Sequence, residues 1–149
     1  ENGYLNYFTG RWFDKKPNKT KYLNPDIDKK QIIFNDYLVN WDATIHLVEG
    51  PTDHIVTPNS IPMLGKYLTD LLFEKLQTKS RADIVILLDG DAWEDSLRLY
   101  DQLNRGKLDG RVKICKLPLD LDPSKIVQDF GTKGLAYYLR HSKKLKKHY

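Results

Sequence analysis

Along most of the chain, short unbroken apolar runs alternate with stretches in which apolar residues recur every three or four positions. The first pattern is sharpest at Ile84-Val85-Ile86-Leu87-Leu88, which stops abruptly at Asp89-Gly90-Asp91. A strand apolar on both faces belongs in a parallel sheet covered by helices on both sides. In such sheets ligands bind just beyond the carboxyl ends of the strands. Thr44 to Val48 is a second run, ending at Glu49-Gly50; Ser60 to Leu64 is a shorter one closed by Gly65, and Arg111 to Leu117 alternates as a further strand. Between them, Pro51 to Val56 can start a helix with proline in its first turn. Leu68, Leu71, Leu72, Lys75 and Leu76 recur at helical spacing and predict a helix over 67–78. Trp93, Leu97, Tyr100 and Leu103 give the next helix its apolar stripe; burying each contributes on the order of 1.5–3 kcal/mol. Leu119 to Ser124 reads as a loop, followed by a short helix to Phe130 that Gly131 ends. A last helix over 133–147 turns Leu135, Tyr138 and Leu139 inward.

Strands alternating with helices from residue 44 onward predict an α/β domain with a parallel sheet. The first third has another rhythm. Tyr4 to Phe13 is aromatic and β-prone, a short hairpin or bent strand interrupted by Gly10. Residues 14–19 are a loop by their breakers, Tyr22-Leu23-Asn24-Pro25 is extended or turning, and Ile32-Ile33-Phe34 is a candidate strand. The expected division is therefore a small β-rich N-terminal appendage over 1–43 and an α/β domain with a C-terminal helix over 44–149.

Composition narrows the function classes. With 149 residues the chain is long enough for one real core. No apolar run reaches membrane-spanning length and no secretory signal opens the chain. Opening at Glu1 without an initiator methionine, the sequence is expected to be a piece of a longer protein. The single cysteine, Cys115, excludes an internal disulfide and a cysteine-rich zinc site, and its alternating surroundings mark it as a packed strand residue. His46 reads likewise as packed. The formal net charge of +4 says little by itself. Its placement says more: Lys15, Lys16, Lys19 and Lys21 cluster, as do Arg140, Lys143, Lys144, Lys146 and Lys147. The second cluster suits the carboxyl end of a helix dipole.

Acids stand after each main strand: Glu49, then Asp89 and Asp91, then Asp120 and Asp122. Taken alone, Asp91-Ala92-Trp93-Glu94 fits a helix capping box. Carboxylates gathered at one sheet edge, however, repel one another unless cations neutralise them, so Asp89 and Asp91 are also candidates to converge on a hard cation such as Mg²⁺. Asp53, four residues after Glu49, shares its face if a helix begins near Pro51.

The order Glu49-Gly50-x-x-Asp53, then Asp89-Gly90-Asp91, each at the end of an apolar run, resembles the TOPRIM fold of primases and topoisomerases. Gly10-Arg11, Lys21-Tyr22-Leu23-Asn24, Leu64-Gly65 and Asp122-Pro123 extend the resemblance over nearly the whole chain, to the catalytic core of bacterial and phage DnaG-type primases. That resemblance implies a Rossmann-like parallel sheet flanked by helices and metal-dependent, template-directed synthesis of RNA primers on single-stranded DNA from nucleoside triphosphates. Asp89, Asp91, Asp122 and Asp53 would hold Mg²⁺, with Mn²⁺ as substitute, and Glu49 would be a general acid/base or further ligand. Arg11 and Lys21 match basic positions near nucleotide and template, and Lys15, Lys16 and Lys19 would line the same approach. It further implies a bacterial or phage protein of the cytoplasm, with any replicative helicase engaged through segments not in this sequence. Trp93 and Glu94 stand where the family has small residues, Asp36 where a basic residue is usual and Ser124 where an acid is. A TOPRIM nuclease, a topoisomerase-like enzyme, for which none of the tyrosines sits in a recognisable cleavage motif, and a non-catalytic nucleic-acid-binding module are the rival readings.

Overall fold

A computed structural model of the chain describes residues 7–12, 22–65 and 67–145. Its centre is a four-stranded parallel sheet in the order β4-β3-β5-β6, with β3 at Ile45–Val48, β4 at Ser60–Pro62, β5 at Ile84–Leu87 and β6 at Val112–Ile114. Every residue of β3 and β5 is buried, as a strand apolar on both faces requires. One side of the sheet packs under α2 (Asp70–Lys79) and α3 (Trp93–Leu103), where Leu72, Leu76, Leu99 and Leu103 meet Leu47, Ile84 and Ile86. On the other side Val48, Val85, Leu87 and Leu117 pack with Ile126 and Leu135 of α4 (Pro123–Arg140). Short α1 (Pro51–Val56) leads straight from the end of β3 and packs against α4. The result is the expected parallel α/β architecture.

Differences from the sequence expectations have local causes. The helix expected over 67–78 starts at Asp70, because the Thr69 hydroxyl caps it by accepting from the Leu72 amide at 3.2 Å. Lys75, counted in its stripe, instead forms an ion pair with Asp36. Gly131, at φ 67°, breaks helical geometry within α4, as expected of a residue free to adopt positive φ. The last helix does not run to 147: it ends at Arg140, and Lys143 exchanges backbone hydrogen bonds with Ile114 at 2.8 and 2.9 Å, adding an antiparallel bridge to β6. Ile32-Ile33-Phe34 is not a strand but joins two 3-10 turns, Lys29–Gln31 and Asp36–Leu38. Nor does Tyr4 to Phe13 pair with itself among the described residues: β1 (Gly10–Arg11) pairs antiparallel with β2 (Tyr22–Leu23).

The first third makes its own two-stranded sheet, yet Ile33, Val39 and Trp41 pack on the main core. The Trp41 carbonyl accepts from the Arg81 amide at 2.9 Å. No helix among the described residues is long and apolar enough to cross a membrane. Cys115 and His46 are buried as expected; burial pushes the Cys115 thiol up to about 12, and His46 Nδ1 bonds the Pro58 carbonyl at 2.7 Å.

Candidate active site

The strands β3 and β5 lie side by side in register, Val48 opposite Leu87, so the residues that follow them emerge together. Glu49, Gly50, Pro51, Thr52 and Asp53 from the β3–α1 turn, Asp89 from the end of β5 and Asp122 from the start of α4 line one cleft of about 320 Å³. Its facing wall comes from the first third of the chain: Tyr7, Thr9, Arg11, Tyr22, Asn24 and Lys29, with Leu64 and Gly65 from the β4–α2 turn. Adjacent parallel strands thus turn residues forty positions apart in sequence into neighbours on one edge.

Gly90 holds the acid wall together by close approach. A Cβ there would lie 1.6 Å from the Pro118 carbonyl oxygen, while the Gly90 amide donates to the Leu121 carbonyl at 2.9 Å. Backbone touches backbone, and the loop carrying Asp89 is fixed to the loop leading to Asp122. Gly90 does not adopt a positive φ, so the glycine between the two acids is required for space and not for a left-handed turn.

The carboxylates occupy distinct environments. Asp89 Oδ1 is buried and has no hydrogen-bond partner. Burial, followed by repulsion from Glu49, Asp53, Asp122 and Asp91, pushes its carboxyl up to about 7. Asp53 is 6% exposed and accepts from both the amide and the hydroxyl of Ser124, at 3.3 and 2.9 Å. Burial nonetheless raises its pKa, outweighing the hydrogen bonds from Ser124. Ser124, where an acid was expected, therefore ties α4 to α1 through Asp53. Asp122 caps α4, its Oδ1 accepting from the Lys125 amide at 2.6 Å. Asp91 is exposed and outside the cleft lining, though near enough to repel Asp89. It is not a helix cap either: the N-cap of α3 is Ala92, with no side-chain bond, so the capping-box reading of Asp91 and Glu94 fails. Asp120 is exposed, and it is its backbone carbonyl that Lys125 Nζ contacts at 3.0 Å.

Among the described residues no group of three or more Asp, Glu, His or Cys side chains is drawn around one metal-sized point. The donor set nevertheless suits a hard divalent cation. It is made of carboxylate oxygens, one of them buried without a partner, in a cleft where burial first, and then the neighbouring acids, drive a proton onto Asp89. Trp93 does not crowd the cleft: its ring packs on the sheet core and takes Lys116 Nζ at 4.7 Å from its centroid. Asp36, through its pair with Lys75, is turned toward α2.

On the opposite wall Arg11 lies over the Tyr22 ring, 5.7 Å from its centroid. Lys29, which no sequence motif marked, joins it from the 3-10 turn capped by Asp28, whose side chain accepts from the Lys30 amide at 3.0 Å. Tyr7 and Thr9 were missed too, whereas Arg11, Tyr22, Asn24, Leu64 and Gly65 all fell within motifs of the sequence. Lys15, Lys16, Lys19 and Lys21 lie outside the described residues.

No family model matches the sequence, and no curated protein does. Solved structures do. The zinc-binding and RNA polymerase domains of the Aquifex aeolicus primase match 93% of this chain at 25% identity, with a TM-score of 0.73 over 37% of that chain. The RNA polymerase domain of Mycobacterium tuberculosis primase DnaG matches 92% at 21% identity and a TM-score of 0.72, over 51% of its chain. A DnaG primase catalytic domain bound to single-stranded DNA matches 91% at 22% identity and a TM-score of 0.74, over 47% of its chain. The chain has the fold of the DnaG-type primase catalytic core and spans between about a third and a half of these neighbours.

Proposed function

We propose that this chain carries the nucleotidyl-transfer centre of a DNA primase, joining nucleoside triphosphates into RNA primers on a single-stranded DNA template. The observation that carries the reading is Asp89. Its carboxylate, with one oxygen buried and unpartnered, is held among other acids at the carboxyl edge of the sheet, in a fold shared with primase cores. Such strain at a fixed site is a recurrent mark of function.

Asp89, with Asp53 and Asp122 beside it and Asp91 at the rim, would hold Mg²⁺ or Mn²⁺. When bound, the cation neutralises phosphate charge and favours the attacking oxygen. The chain's own groups do the remaining work. Arg11 and Lys29 face the acids across the cleft and neutralise the phosphates that the acids would otherwise repel. Glu49, at the end of a rigid central strand, takes the proton from the attacking hydroxyl on its carboxylate. Phosphoryl transfer needs positioning more than covalent help from protein, and the backbone contact at Gly90 gives the acid wall its fixed geometry.

Glu49→Gln tests the reading. It keeps shape but cannot accept a proton as an anion, so primer synthesis should fall by about 10²-fold or more while template binding changes little. Equal losses in both would point to folding instead. A TOPRIM nuclease would show cleavage of the single strand in place of incorporation, and a non-catalytic binding module would bind it unchanged when metal is removed.

A further inference from the structure

The facing wall of the cleft contains a polar group that the acid chemistry leaves unused. Tyr7 is 7% exposed, and its hydroxyl is buried with no hydrogen-bond partner. A buried hydroxyl left unsatisfied is costly and uncommon in folded proteins. Carboxylate acceptors line the same cleft, Asp89 Oδ1 equally unpartnered, yet the phenol bonds to none of them.

The ring is fixed and not idle. It meets Phe34 edge-on at 6.0 Å, and Phe34 meets the His54 ring edge-on at 6.0 Å. His54 is held in turn by Ser60 Oγ at 2.9 Å from Nδ1 and by Asn35 Nδ2 at 3.2 Å from Nε2. Since His54 directly follows Asp53 on α1, this aromatic chain sets Tyr7 relative to the acid wall. Burial also raises the phenol pKa, so the group stays a neutral O–H donor at physiological pH.

We propose that the Tyr7 hydroxyl donates a hydrogen bond to a sugar–phosphate oxygen of the nucleotide bound in this cleft, and so is a substrate-contacting residue. The inference rests on the nucleotidyl-transfer reading. A donor already fixed in place and already stripped of water forms its bond with little ordering cost, and a ligand that satisfies it removes a penalty present only in the free chain. The role thus predicts opposite signs for stability and for binding, which a structural tyrosine would not give.

The variant is Tyr7→Phe in the full chain, titrated calorimetrically with ATP, dATP and tripolyphosphate in the presence of Mn²⁺, beside a thermal melt without ligand. The melt should be unchanged or raised. Affinity should fall about five- to tenfold. An equal fall for all three ligands places the acceptor on the phosphates, and a fall for ATP alone places it on the ribose 2′-hydroxyl; either supports the proposal. Wild-type affinity in the variant overturns it, as does a lowered melt that accounts for the loss of binding. A wild-type chain that binds none of the three ligands overturns the nucleotidyl-transfer reading itself, and the Tyr7 contact with it.

Discussion

The two walls of the cleft are built on opposite principles. The acid wall grows from the ends of β3 and β5, strands with every residue buried, and is pinned by backbone contact at Gly90 and by the Asp53–Ser124 bonds. The facing wall comes from two-residue strands and a three-residue 3-10 turn, and its cations, Arg11 and Lys29, are exposed. A rigid scaffold can hold like charges together against their repulsion, and only the sheet supplies one. The cationic wall needs no such frame, because solvated cations approaching phosphates gain from adaptability. Strain should therefore be concentrated on one wall and salt sensitivity on the other.

The largest effect should come from stripping the acid wall. Asp89→Asn with Asp91→Asn should abolish Mn²⁺ binding in a calorimetric titration. Within the pair Asp89 should account for most of the loss, since it lines the cleft while Asp91 stands at its rim. Unchanged binding in the double variant would sink the metal assignment, and equal effects of the two single variants would erase the distinction between buried and exposed acid.

Rigidity is tested at Gly90. Alanine there places a methyl group inside the Pro118 carbonyl, so the loops bearing Asp89 and Asp122 must separate. Overpacking of this kind costs roughly 1–3 kcal/mol or more, which in a chain of this size lowers Tm by about 2–4 °C per kcal/mol. Cation affinity should fall with it. A variant that melts normally and binds Mn²⁺ normally would show that the two loops are not held together at this point.

The burial of Asp89 among other acids has a pH signature. Asp89 titrates at about 7 when folded, above the ordinary 3.8, so between those values the folded chain keeps a proton that the unfolded chain has lost. Without divalent cation, this group therefore makes stability fall as pH rises through the window from about 4 to about 7. Urea unfolding at pH 5 and 7.5 in EDTA should show wild type losing stability relative to Asp89→Asn as pH rises. The opposite sign would mean that Asp89 is stabilised as an anion by a partner in solution.

What could be read in the sequence follows the same division. Ile84 to Leu88 is apolar at every position, and a strand with no polar face can sit in few places, so the sheet, its helices and the acids at its edge were legible. Gly90 was legible only as the residue between two acids, because its close approach to Pro118 is a tertiary fact. Ile32-Ile33-Phe34 misled: β-propensity in a short run is overridden when the residues pack sideways on a core formed elsewhere. Tyr7 and Lys29 carried no signal, since their place in the cleft depends on how two-residue strands pair and where a capped turn falls. Asp53 was found, but its partner was not: Ser124, noted only as a missing acid, is the hydroxyl that holds it.

The smallest effect should come from the cationic wall, and it should appear in salt dependence more than in activity. Arg11 and Lys29 are exposed, so neutralising them leaves no buried charge behind and should barely alter the melt. If they meet phosphates of a single strand, each releases a counterion on binding, and the slope of log affinity against log salt should flatten by about 0.7 for each phosphate no longer neutralised. Arg11→Ala with Lys29→Ala, titrated with single-stranded DNA over a range of salt concentrations, should therefore lose affinity mainly at low salt. Neutralising Lys143 and Lys144 is the control. Those residues follow the end of α4, and Lys143 is committed through its backbone to the bridge with Ile114 on β6. A steeper loss from that pair than from Arg11 and Lys29 would move the template off the facing wall and leave the cleft's cations with the nucleotide alone.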